Sequence, residues 1–129
     1  MTKRALTFSR MPGQFAVCRL PADGPVPEWA WSGPFTSVTR TADELSIVCV
    51  ADRVPEEHQP KSRWACFKLE GPFSFSDVGI LASVIGPLAE REVPIFAVST
   101  FDTDYVLVGE ENVEIALQVL RDAGHQLVS

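Results

Sequence analysis

The order of hydrophobic periodicities from residue 64 onward restricts this chain more than any other feature. Residues 64–69, 95–100, 105–108 and 125–128 alternate apolar and polar side chains, the period of two that a half-buried strand requires. Between them, Ile80, Leu81, Val84, Ile85 and Leu88 fall on one helical face, as do Val113, Ala116, Leu117 and Leu120. Gly109 and Gly124 bracket the second helix. Pro87 sits inside the first, where its missing N–H predicts a kink or an early end. Strand, helix, strand, strand, helix, strand is satisfied by an antiparallel sheet with both helices on one face.

That arrangement is the ferredoxin-like unit, and the expected class is α+β. The N-terminal half repeats it in eroded form. Residues 5–10, 15–20, 35–40 and 45–50 also alternate. Residues 38–48 (VTRTADELSIV) lie over residues 98–108 (VSTFDTDYVLV) at an offset of 60, and residues 15–20 (FAVCRL) over residues 64–69 (WACFKL) at an offset of 49. The segment between those blocks is therefore 11 residues shorter in the first half, about three helical turns. A stub around residues 27–31 remains of the first helix, and Pro55 and Pro60 leave little room for the second. Two tandem modules are expected, a degenerate one over residues 1–61 and a complete one over residues 62–129. The degenerate module cannot cover its own sheet and needs the complete module or another subunit to do so.

Eleven Lys and Arg against 17 Asp and Glu leave a formal charge of −6 with no basic block, which speaks against nucleic acid as a partner. No apolar run approaches a membrane span, and MTKRALTFSR lacks the apolar stretch of an export signal. A cytoplasmic protein without a membrane partner is the expectation. Cys18, Cys49 and Cys66 stand singly in alternating runs, where a reduced cysteine packs as a small hydrophobe. With His58 and His125 far apart and no CxxC, neither a metal, a cofactor nor a catalytic Cys–His pair is expected.

Two segments carry ligand chemistry. Residues 74–80 (SFSDVGI) run from a strand into the first helix, with Ser76 or Asp77 as N-cap and Gly79 inside the first turn. Free N–H groups at such an end favour a carboxylate, and Asp77 beside them can accept from an ammonium group; a plain cap with a turn glycine has the same pattern. The second segment is the hairpin at residues 99–104 (STFDTD). Asp102 and Asp104, two apart, read more readily as turn formers than as a magnesium site or an acid–base pair. Trp29, Trp31, Phe73 and Phe75 form aromatic patches that read as packing.

Gly79-Ile80-Leu81, Pro87-Leu88-Ala89 and the pattern S-T-[FY]-x-x-D-[FYH]-x-L-V at residues 99–108 together resemble the small bacterial ACT-domain proteins with tandem modules. These are in turn similar to the paired modules of the cytosolic arginine sensor of animal cells. The resemblance spans residues 64–124 closely and the first half more weakly. It implies a ferredoxin-like ACT fold, no catalysis, and a free amino acid held at an interface between modules. Mapped onto this sequence, it implies contacts from Asp77, Gly79 and Ile80 and from Thr100, Phe101 and Asp104. Asp104 would face a cationic side chain or ammonium, Phe101 would pack on an aliphatic stem, and Pro94 and Ile95 would be walls contributed across a module interface. The sensor has four modules and a glutamate where this chain has two and the shorter Asp77. A homodimer would restore four modules. The alternative is a ligand-free ACT scaffold for protein–protein contact.

Overall fold

A computed structural model of the chain describes residues 5–71, 73 and 77–128. In chain order its strands are β1 (Thr7–Arg10), β2 (Phe15–Leu20), β3 (Ser37–Arg40), β4 (Leu45–Val50), β5 (Trp64–Leu69), β6 (Ile95–Ser99), β7 (Asp104–Gly109) and β8 (Gln126–Val128). The helices are α1 (Ile80–Glu90) and α2 (Val113–Asp122). The chain divides into two compact units, residues 11–65 and residues 66–129 with the segment up to Arg10.

In the first unit the strand order is β3–β4–β2, all antiparallel, with Phe15 also paired to Trp64 at the start of β5. Register places Ala16 opposite Cys49 and Cys18 opposite Ile47, so these side chains share one face. They pack with Ala30, Leu45, Ala51 and Val54 into a core rich in small residues. The stub expected around residues 27–31 is a single 3-10 turn, Glu28–Trp31, which drives Ala30 inward. Trp29 lies against the His58 ring at 5.8 Å, while Trp31 is exposed.

In the second unit the order is β8–β1–β5–β7–β6. The expected strand–helix–strand–strand–helix–strand unit is there as β5, α1, β6, β7, α2 and β8, and β1 joins it as an additional strand. It runs antiparallel to β5, with Phe8 opposite Leu69, and parallel to β8, with Phe8 opposite Leu127. Residues 5–10, read from sequence with the N-terminal module, thus lie in the C-terminal unit. Burial of Phe8, edge-to-face on Phe67 at 5.7 Å, is the apolar reason. Ile80, Val84 and Leu88 of α1 and Val113, Ala116, Val119 and Leu120 of α2 are buried.

Three details differ from expectation. The hairpins β3–β4 and β6–β7 repeat each other at an offset of 59 rather than 60, because Arg40↔Leu45 and Ser99↔Asp104 close loops opened by Thr41 and Thr100. In both, the threonine N–H donates to the carbonyl of the fourth loop residue, at 2.9 Å for Thr41 to Glu44 and 2.8 Å for Thr100 to Thr103. Each threonine Oγ1 accepts that residue's N–H at 3.2 Å. The side chain pins the turn, so the threonines superpose. Second, α1 does not end at Pro87 but continues to Glu90. Third, its N-cap is Gly79, in the left-handed region at φ 77° and ψ 5°, a conformation that glycine adopts at least cost. Asp77 lies upstream of the cap, and the other expected cap, Ser76, lies outside the described residues, as does Phe75. Among the described residues, no helix is long and apolar enough to cross a membrane.

Candidate functional site

The two segments singled out in the sequence meet in the second unit. A cleft of about 200 Å³ is lined by Phe73, Asp77 and Ile80 on one side and by residues 99–104 on the other. Drug-sized ligands occupy roughly 300–1,000 Å³. This cleft is on the scale of one small metabolite.

Hydrogen bonds fix the hairpin wall. Thr100 Oγ1 donates to the Thr103 carbonyl at 3.0 Å, in addition to the two bonds described above. Thr103 is buried, and its Oγ1 donates to the Leu69 carbonyl at the end of β5 at 2.6 Å. The Phe73 N–H donates to the Asp102 carbonyl at 2.8 Å, tying the strap after β5 to the same turn. Ser99 Oγ donates to Asp104 Oδ1, orienting a half-buried carboxylate at the mouth of β7. The ring of Phe101 stands out at the rim, 78% exposed, as does Val78 at 83%.

The opposite wall is the start of α1. Gly79, the N-cap, offers no side chain to the first N–H groups, and its carbonyl accepts the Ser83 N–H at 3.0 Å as the helix begins. A helix N-terminus carries partial positive charge and N–H groups without intrahelical partners. A Cβ added at Gly79 would meet nothing within 4 Å, so the glycine answers to the backbone angle rather than to a crowded neighbour. The cleft carries the carboxylates of Asp77, Asp102 and Asp104 with no Lys or Arg among the described lining residues. Helix-start N–H groups and the carboxylates that line the cleft can hold a molecule of opposite charge at its two ends.

Of the residues singled out, the structure brings Asp77, Ile80, Thr100, Phe101 and Asp104 together, with Gly79 one residue behind Ile80. It does not bring Pro94 and Ile95 to this cleft. Ile95 pairs with Val108 at the far end of the hairpin from Ser99↔Asp104, roughly 14 Å along the strands. Phe73, which the sequence reads as packing, also lines the cleft, as do Ser99, Asp102 and Thr103 of the hairpin segment, to which the resemblance gives no contact. The spacing Thr-x-x-Thr, echoed by Thr41-x-x-Glu44, was the available signal for Thr103. Elsewhere the cysteines are buried and reduced. Burial pushes the Cys66 thiol up to about 12; burial and the neighbouring Cys18 push Cys49 up to about 11; burial raises Cys18 as well. Among the described residues, no three His, Cys, Asp or Glu converge as a metal site.

The sequence profile of the ACT domain, in its ACT_7 form, matches residues 59–122. A profile described as an N-terminal domain matches residues 13–57. The crystal structure of protein Atu0741 from Agobacterium tumefaciens is similar over 97% of this chain and 93% of that one, at 42% identity and a TM-score of 0.89. The chain belongs to the ACT-domain family. Its fold is likewise shared, at 12% identity and a TM-score of 0.63, by 34% of the aspartate kinase of Clostridium acetobutylicum, described as an allosteric enzyme, which covers 91% of this ACT-domain chain. Subunit 1 of the cytosolic arginine sensor for mTORC1 from Homo sapiens is 33% identical over 67 residues, which are 51% of this chain and 20% of the sensor. The matched span is thus a fifth of that relative's length.

Proposed function

We propose that this protein is a non-catalytic regulatory module of the cytoplasm that binds a free amino acid in the cleft between the start of α1 and the β6–β7 turn. The observation that carries the reading is that one cleft gathers Asp77 and Ile80 with Thr100, Phe101 and Asp104. The ligand carboxylate meets the first N–H groups of α1, and its ammonium or a cationic side chain meets Asp104 and Asp77. Phe101 lies over the aliphatic stem. Kinship with an arginine sensor and with the fold of an allosteric kinase supports a regulatory role. In this reading a second copy of the chain closes the exposed rim and contributes Pro94 and Ile95, so occupancy biases subunit packing.

Isothermal calorimetry with the twenty amino acids tests this. The small ligand sets an expected affinity of roughly micromolar. Asp104→Ala and Asp77→Ala are each expected to weaken binding at least about tenfold, the loss of one charge-assisted contact. Light scattering is expected to give a dimer; a monomer alone counts against the shared site. The exposed apolar rim of Val78 and Phe101 favours a second reading, a ligand-free scaffold for protein contact. Silence across the whole amino-acid panel would select it.

A further inference from the structure

A proline inside a helix leaves a carbonyl without its partner, and in α1 that carbonyl belongs to Ser83, four residues before Pro87. Here it is not bare: His125 Nε2 lies 2.8 Å from the Ser83 oxygen. A carbonyl only accepts, so Nε2 carries the proton. The other ring nitrogen, Nδ1, accepts the Leu6 N–H at 3.1 Å, which completes a neutral imidazole of one tautomer.

The residue that carries the imidazole is also fixed along its backbone. His125 is the third residue past the end of α2, where the Gly124 N–H donates to the Arg121 carbonyl at 2.9 Å and the His125 N–H to the Leu120 carbonyl at 2.9 Å. Gly124 at φ 96° makes this helix ending possible. The next residue, Gln126, donates to the Leu6 carbonyl at 2.9 Å, which starts the β1–β8 ladder. His125 is thus buried among α2, β1 and β8 and reaches across to α1.

Ser83 is also the residue that closes the first turn of α1. Its N–H bonds the Gly79 carbonyl at 3.0 Å and its Oγ donates to the Ile80 carbonyl at 2.7 Å. Ile80 lines the candidate amino-acid cleft. On the other side, Ser83, Pro87 and His125 border a separate cleft of about 430 Å³ between the helices, which gives this part of α1 room to shift.

We propose that His125 is a positioning residue for the ligand cleft: by taking the carbonyl that Pro87 frees, it fixes the first turn of α1 against the sheet. The inference rests on the amino-acid reading for its effect on affinity, but the bond it invokes stands apart from that reading. Pro87 and His125 form a matched pair, and replacing Pro87 with a residue that has an N–H removes the need for the imidazole.

The experiment is a double-mutant cycle on the full chain with His125→Leu, Pro87→Ala and the double variant, read by amino-acid titration and by hydrogen exchange of the Ser83 amide. His125→Leu is expected to weaken affinity about three- to tenfold and to speed Ser83 exchange about tenfold, whereas in the Pro87→Ala background both effects fall below about twofold. His125→Gln, which keeps a donor within reach of Ser83, is expected to retain affinity within about twofold of wild type. Equal effects of His125→Leu in the two backgrounds overturn the proposal, as does lost stability with unchanged affinity. If His125→Leu does not fold, the His125→Gln variant and nitrogen NMR of the wild-type imidazole decide: a protonated Nδ1 overturns it. If wild type binds no amino acid, the functional reading falls, and the exchange cycle alone upholds or overturns the bond and its grip on the first turn.

Discussion

Thr103→Val probes what anchors the β6–β7 hairpin. Valine has nearly the shape of threonine, so the substitution opens no cavity in a residue that is 7% exposed. It removes one hydroxyl, the donor to the Leu69 carbonyl at 2.6 Å. Leu69 is itself buried at 1% exposure, so water does not readily replace that donor. An acceptor left bare in such a place costs about 1–2 kcal/mol. In urea this is a lowering of the midpoint by about 0.5–1 M at unchanged slope. Thr100→Val supplies the contrast. Its hydroxyl serves the Thr103 N–H and carbonyl, but the residue is exposed and solvent takes over both roles, so the expected loss is below about 0.5–1 kcal/mol. Denaturation followed by circular dichroism checks both. A Thr103→Val loss under about 0.3 kcal/mol, or smaller than that of Thr100→Val, would refute the reasoning that burial of the anchor fixes the turn.

The cysteines make a second prediction. With Cys66 held near 12 and Cys49 near 11, native thiols are expected to resist iodoacetamide at pH 8 and to react only on unfolding; labelling of the native protein within minutes would contradict this. The sign of the pH effect follows, because the unfolded chain ionises these thiols near 9.0 while the folded chain keeps them protonated. Their stabilising contribution is whole below that value and declines toward pH 11–12 by up to about 1.4 kcal/mol per pH unit for each thiol, which urea melts between pH 8 and 10.5 measure. Backbone strain gives a third. Glu92 sits at φ 58°, so Glu92→Gly is expected to stabilise by about 0.5–1 kcal/mol in thermal melts, whereas Gly79→Ala, at φ 77°, is expected to destabilise by about 1 kcal/mol.

Local rules made much of the fold legible. Alternation located β2, β4 and β5 to the residue, and helical periodicity located α1 and α2, because burial of one face leaves a periodic trace in the side chains. The two segments that line the cleft were legible because residues that start a helix or form a turn act within a few positions of the chain. Pro87 by itself predicts a kink or an early end, because a helix losing an N–H has no local remedy; the remedy, His125, lies 38 residues away in sequence and outside the helix. The repeat offset slipped by one residue because letter matching weighs Val38 against Val98, whereas the turn hydrogen bonds weigh Thr41 against Thr100.

The sequence by itself determined the element types, the order of strands and helices and which two segments border the cleft. Only the tertiary structure decided that β1 enters the C-terminal sheet between β5 and β8, that Thr103 anchors the turn through Leu69, and that His125 answers Pro87. The division has a physical cause. Propensity, capping and turn chemistry are satisfied by neighbours along the chain and so are written in adjacent letters, whereas an orphaned carbonyl or an open strand edge accepts a partner from anywhere that packing brings near.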